Sequence, residues 1–106
     1  MSNETALEYG RQATDLPEVT IVASPGCHFC ADAESVIAEI SQERPLRVTH
    51  VGMTSPEGAG MMQQFGASMS PLVLLDGEFV SSGRLSRGRL RRLLDHEAVV
   101  RQPSRP

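Results

Sequence analysis

The feature that most constrains the fold of this chain is a β-branched run that stops at a Ser-Pro-Gly segment and continues as a helix. Residues 19–23 are Val-Thr-Ile-Val-Ala, which is typical of a short buried strand. Over residues 27–41 the apolar positions recur at helical spacing, with acidic residues on the other face. Residues 46–51 alternate as a second strand. Strand, helix and strand in this order predict a βαβ unit with parallel strands.

The second half of the chain carries a β-hairpin signal. Two apolar runs, residues 72–75 and 78–81, are separated by Asp76 and Gly77. A two-residue Asp-Gly turn between apolar runs is the strongest short-range indication of a hairpin, and it favours a type I′ turn.

Two further helices are predicted on either side of this hairpin. Residues 57–65 form the weaker one, because each of its two glycines costs about 1 kcal/mol relative to Ala in a helix. Ser86 can cap a last helix that carries Leu90, Leu93 and Leu94. The order β-α-β-α-β-β-α predicts an α/β fold, in which a mixed four-stranded sheet is flanked by helices.

The length of 106 residues predicts a single domain over residues 1–106, with a core from about 18 to 98. The polar N-terminal lead-in and the Pro-rich tail after Val100 are expected to be flexible. The chain shows no signal-peptide pattern and no apolar run long enough to span a bilayer. We therefore expect a cytoplasmic monomer without a membrane partner. A net charge of −3 disfavours nucleic acid as a partner.

The only two cysteines lie at the start of the first predicted helix. Unpaired N–H groups and the positive end of the helix dipole favour an anion there, so we expect a lowered pKa for Cys27 and an attacking thiolate. Cys30 follows one helical turn later, near enough to form a disulfide, and burial should keep it less ionised. Such a pair suits thiol–disulfide exchange, in which Cys27 attacks and Cys30 resolves the mixed disulfide. His28 either raises the local positive potential when protonated or is merely exposed and polar.

Other roles for the two cysteines remain open. A zinc site needs four ligands, and His50 and His96 could be recruited, although their spacings match no zinc-finger pattern. A permanent disulfide across three residues closes too small a loop to stabilise much. Two inert buried cysteines are a further alternative.

Three landmarks together resemble a known family. They are Cys-x-x-Cys after the first strand, Ser-Pro immediately before the third strand, and Asp-Gly in the hairpin. In this order they are similar to the thioredoxin/glutaredoxin superfamily, and the likeness spans roughly residues 19–94. The resemblance implies a thioredoxin-like fold and a catalytic dithiol, with no cofactor and no metal.

The resemblance also implies how a substrate binds. The Ser70–Pro71 bond would be cis and lie beside the dithiol, and the backbone of Ser70 would pair with an extended substrate segment. Phe29 and Met69 are expected to add apolar contacts.

Within the superfamily, the residues around the dithiol look closer to glutaredoxin. Two glutathione-binding features are nevertheless missing, because Ser24 replaces a basic residue and residues 82–86 lack an acid. Only Arg84 is a candidate partner for a small carboxylate. Protein disulfides are therefore the expected substrates, with a flavoprotein reductase or a small thiol as the reducing partner. A glutaredoxin using a small thiol, and a non-catalytic module binding a metal or iron–sulfur centre, are the alternatives.

Overall fold

The computed structural model describes residues 16–101 of the chain. Its elements follow the predicted order: β1 Glu18–Ala23, α1 His28–Glu43, β2 Arg47–Gly52, α2 Pro56–Gln64, β3 Leu72–Leu75, β4 Glu78–Ser82 and α3 Arg87–Arg101. The predicted lead-in, apart from its last two residues, and residues 102–106 of the predicted tail lie outside the described residues. Of the described helices, none is both long and apolar enough to cross a bilayer.

The four strands form one mixed sheet in the order β2-β1-β3-β4. β1 pairs with β2 in parallel and with β3 antiparallel, and β3 pairs antiparallel with β4. The sheet therefore combines the predicted βαβ unit with the predicted hairpin. The α/β fold with a mixed four-stranded sheet, as expected from the sequence, is confirmed.

Side chains from both faces of the sheet are buried. The larger core lies between the sheet and the helices α1 and α3, and its buried members are Val19, Ile21, Ala33, Val36, Ile37, Ile40, Val73, Leu75, Val80, Leu85, Leu90 and Leu94. The smaller core lies under α2 and consists of Val22, Met62, Leu72 and Leu74. β1 and β3 contribute to both cores because successive side chains of a strand point to opposite faces.

The hairpin turn has the predicted type. Asp76 has φ 51° and Gly77 has φ 84°, and two positive φ values are the mark of a type I′ turn. The turn is also tied to the start of β1. The N–H of Asp76 donates to the carbonyl of Glu18 at 2.8 Å, and the N–H of Glu18 donates to the Asp76 carboxylate at 2.9 Å.

The arginines of α3 are mostly engaged with other elements. Arg87 and Arg91 pair with Glu39 of α1, and Arg91 also bonds Glu43. That hydrogen bond from Arg91 holds the pKa of the Glu43 carboxyl below its usual value. Arg89 donates from Nε to the carbonyl of Val80 at 3.0 Å. Two arginines of α3 therefore join this helix to α1.

A close approach between β2 and α2 explains one of the two helical glycines. Ser55 caps α2 by accepting a hydrogen bond from the N–H of Gly58 at 3.0 Å. Ser55 also donates from its N–H and its hydroxyl to the carbonyl of Gly52, at 3.1 and 2.7 Å. A Cβ atom on Gly58 would overlap that same carbonyl oxygen, whereas one on Gly60 would meet open space.

Replacing these two glycines with alanine should have opposite effects. Gly58→Ala is expected to destabilise the protein by about 1–3 kcal/mol, because the carbonyl of Gly52 is held by Ser55 and cannot move aside cheaply. Gly60→Ala is expected to stabilise it by about 0.5–1 kcal/mol, because alanine fits the helix and restricts the unfolded chain. Urea unfolding of both variants measures this, and equal effects would contradict the close approach.

Candidate active site

Cys27 forms the N-cap of α1. Its backbone is extended, with φ −89° and ψ 118°, and its Sγ accepts a hydrogen bond from the N–H of Cys30 at 3.1 Å. Gly26, with φ 69°, makes the turn that leads into this position. The sulfur of Cys27 therefore lies where the unpaired N–H groups of the helix point, as the sequence predicts.

The two cysteines are bonded to each other and differ in exposure. They form a disulfide with their Cα atoms 5.1 Å apart. Cys27 is half-buried, whereas Cys30 is only 5% exposed. An incoming group can thus reach the first sulfur more readily than the second, which is the asymmetry that an attacking and a resolving thiol require.

The loop before β3 closes one side of the dithiol. The Ser70–Pro71 peptide bond is cis, as the resemblance implies, and Pro71 is fully buried. The carbonyl oxygen of Ser70 lies 3.7 Å from the Sγ of Cys27. The carbonyl of Pro71 accepts from the N–H of Gly83 at 2.9 Å, which fixes the loop against the end of the hairpin.

Two apolar side chains predicted to contact substrate are exposed beside this site. Phe29 is 36% exposed and Met69 is 49% exposed. Phe29 lies between the two cysteines in sequence, and Met69 immediately precedes Ser70. The carbonyl of Met69 accepts a hydrogen bond from the hydroxyl of Ser82 at 2.8 Å. Both side chains are therefore exposed, each adjacent in sequence to a residue of the site.

Two pairs, each of a histidine and a carboxylate, lie near the dithiol. An open cleft of about 520 Å³ is lined by Cys27, Cys30, His28 and Glu34 among others. The Nε2 atom of His28 lies 3.4 Å from the carboxylate of Asp32, and Glu34 lies 3.0 Å from the Nε2 atom of His50. His28 thus directs its polar edge to Asp32. The sequence did not single out Glu34, because an acid on a helix face is usually only solvated.

Arg84 lies in a separate hollow. This hollow, of about 610 Å³, is lined by Asp32, Ser35, Val36, Leu85, Ser86 and Arg87 as well as by Arg84. Within residues 16–101, the side chain of Arg84 makes no hydrogen bond or ion pair. The residues lining the cleft at Cys27 do not include it. Of the predicted site residues, the structure therefore brings Ser70 and Pro71 to the dithiol and places Arg84 in a different hollow.

The residue that sequence reasoning missed is Ser24. Its hydroxyl lies 3.3 Å from the hydroxyl of Ser70, which in turn lies 3.4 Å from the Sγ of Cys27. From the sequence, Ser24 stands out only because it replaces the basic residue of the glutaredoxin pattern. No local pattern links two serines that are 46 positions apart.

Comparisons with known proteins find relatives that are thioredoxin-like. No family model matches the sequence. A probable thioredoxin of Archaeoglobus fulgidus is 24% identical over 74 residues, covering 70% of this chain and 81% of that protein. The solved structure of Trxlp from Edwardsiella tarda matches with a TM-score of 0.56 and 27% sequence identity. The match covers 84% of this chain and 91% of the Trxlp chain. The solved structure of a thioredoxin-like protein from Clostridium perfringens matches with a TM-score of 0.64 and 15% sequence identity. The match covers 80% of this chain and 73% of that protein's chain.

This chain is similar, in sequence and in fold, to thioredoxin-like proteins. The resemblance drawn from the three sequence landmarks is therefore confirmed. Together with the Cys-x-x-Cys pair, this similarity supports thiol–disulfide oxidoreductase chemistry in general. Among residues 16–101, no three His, Cys, Asp or Glu side chains are grouped so that they could hold a metal ion.

The different positions of the two cysteines lead to a test of their reactivity. In the Cys30→Ser variant, alkylation of Cys27 by iodoacetamide should reach half its maximal rate below a pH of about 8.5, the value for a free thiol, because the N-terminus of α1 stabilises the thiolate. In the Cys27→Ser variant, the buried Cys30 should react more slowly at neutral pH. Faster alkylation of Cys30 would reverse the two roles.

Proposed function

We propose that this protein is a thiol–disulfide oxidoreductase that reduces disulfides in protein substrates through Cys27 and Cys30. The observation that carries the proposal is the pairing of a half-buried sulfur at the N-cap of α1 with a buried sulfur one turn behind it. The proposal includes a monomer that works in the cytoplasm, where thiols are kept reduced.

The reaction begins with the reduced dithiol. The thiolate of Cys27 attacks one sulfur of the substrate disulfide, whose S–S bond breaks as a mixed disulfide with Cys27 forms, and the released sulfur takes up a proton. Cys30 then loses its proton and attacks the sulfur of Cys27, which releases the second substrate sulfur as a thiol. The substrate gains two electrons and two protons, and the protein is left with the Cys27–Cys30 disulfide. A flavoprotein reductase or a small thiol must supply two electrons to restore the dithiol.

A protein substrate suits the surroundings of Cys27. An extended segment could pair with the backbone of Ser70, next to the sulfur that must be reached, in the manner of an added β-strand. The exposed side chains of Phe29 and Met69 would supply apolar contact on such a segment. This mode of binding needs no charged partner at the cleft.

A second candidate function is the reduction of mixed disulfides with a small thiol such as glutathione. The hollow at Arg84 favours it, because the exposed guanidinium of Arg84 can bind a carboxylate. The main objection is that Arg84 and Cys27 line different hollows. A third candidate, a module that binds a metal or iron–sulfur centre through the cysteines, is separated from both by the metal content of freshly purified, reduced protein.

The two enzymatic candidates differ in the substrate they turn over best. We expect faster reduction of insulin than of a glutathione mixed disulfide, and we expect Cys30→Ser to lose most of the insulin activity because the mixed disulfide is no longer resolved. Arg84→Ala should leave insulin reduction unchanged. The rates of the wild type and both variants on the two substrates measure this.

The matched control is Arg92→Ala, which removes an exposed arginine of α3 that lines neither hollow. Efficient turnover of the glutathione substrate by Cys30→Ser, lost on Arg84→Ala but kept on Arg92→Ala, would contradict the preference for protein disulfides and assign a glutaredoxin activity.

A further inference from the structure

Two serine hydroxyls form a chain that ends on the sulfur of Cys27. The Oγ of Ser24 lies 3.3 Å from the Oγ of Ser70, and the Oγ of Ser70 lies 3.4 Å from the Sγ of Cys27. Both serines are half-buried, as is Cys27. The sulfur thus accepts from the backbone N–H of Cys30 at 3.1 Å and has the Ser70 hydroxyl as a second polar neighbour.

The pairing of β1 with β3 explains why the two serines meet. Val22 lies opposite Leu72 in this antiparallel pair. Continuing the same register by two residues beyond each of them brings Ser24 opposite Ser70. Residues directly opposite in an antiparallel pair have their Cβ atoms about 4.5–5.5 Å apart, within reach of hydroxyl contact. Their contact is therefore built into the strand register.

We infer that Ser24 is a positioning residue, which orients the hydroxyl of Ser70 so that it donates a hydrogen bond to the thiolate of Cys27. The inference deepens the proposed function and rests on it, because it assumes that Cys27 is the attacking sulfur. The hydroxyl of Ser70 thus has a role separate from that of its backbone, and Ser24 has a role that the proposed function does not include.

The direction of the chain follows from the protons available. Each hydroxyl has one proton to donate. When Ser24 donates to Ser70, the proton of Ser70 is free to point at the sulfur, and a chain of such bonds strengthens each member. A protonated Cys27 can instead donate its S–H to the carbonyl of Ser70, 3.7 Å away. A hydrogen bond donated to the charged form favours that form, so the serine chain should favour the thiolate.

Other groups around Cys27 also influence its ionisation. His28 and Glu34 line the same cleft, and they are paired with Asp32 and His50 respectively. Substitution of either serine leaves these four side chains in place. A difference between serine variants therefore reports the hydroxyls and not these titratable side chains.

The test is a double-mutant cycle on the reactivity of Cys27, measured as the pH midpoint of iodoacetamide alkylation in the Cys30→Ser background. Ser70→Ala should raise the midpoint by about one unit, since it removes a hydrogen bond to a charged group. Ser24→Ala should raise it by about half a unit while Ser70 is present, and should add nothing in Ser70→Ala, because Ser24 acts only through Ser70. Ser70→Thr, which keeps the hydroxyl, should restore the midpoint.

The matched control is Ser82→Ala. The hydroxyl of Ser82 donates to the carbonyl of Met69 in the same loop and not to the sulfur of Cys27, so this variant should leave the midpoint unchanged. Equal shifts in Ser82→Ala and Ser70→Ala would mean that loop position alone matters and would overturn the inference. An unchanged midpoint in Ser24→Ala, or additive shifts in the double variant, would overturn it too. If the wild type does not reduce insulin, the proposed function is wrong. The double-mutant cycle still measures whether the two serine hydroxyls affect the ionisation of Cys27.

Discussion

The antiparallel pairing of β1 with β3 holds together parts of the site that are far apart in the sequence. Val22 lies opposite Leu72, so the loop that leads from β1 to Cys27 meets the loop that enters β3 through Ser70 and Pro71. Both strands are buried on both faces, against a large core on one side and a small core on the other. A slip of one residue would exchange the side chains of these two cores. The packing of the sheet therefore fixes the distance from Ser70 to the sulfur of Cys27.

The start of α1 then gives the two cysteines different exposure and different electrostatic surroundings. Cys27 is the N-cap, with an extended backbone and a half-buried sulfur that accepts the N–H of Cys30. Cys30 lies one turn into the helix and is almost fully buried. The same spacing of three residues brings the sulfurs within bonding reach. Accessibility and the electrostatics of the helix end thus favour the same cysteine, which is why a single turn of helix can supply both an attacking and a resolving thiol.

Much of this arrangement could be predicted from local sequence, and the rest depends on long-range contacts. The β-branched run of β1, the helical spacing of α1 and the Asp-Gly turn are local signals, and the structure confirms each of them. The partnership of Ser24 with Ser70 and the close approach of Gly58 to Gly52 arise only when strands and helices pack. Arg89 is a similar case, because its carbonyl partner, Val80, is the extra residue of an irregularity in the pairing of β3 with β4. Such contacts join residues that no periodicity relates, so a single sequence cannot reveal them.

Capture of a covalent intermediate tests most directly whether Cys27 is the sulfur that exchanges with substrate. The Cys30→Ser variant is incubated with insulin, digested without reductant and analysed by mass spectrometry, with the Cys27→Ser variant treated in parallel. The account predicts a mixed disulfide between Cys27 and an insulin cysteine, which persists because no resolving thiol remains and which dithiothreitol removes. It predicts little adduct on the buried Cys30 of the parallel sample. An adduct that forms faster on Cys30, or the absence of any adduct on Cys27, would contradict the account.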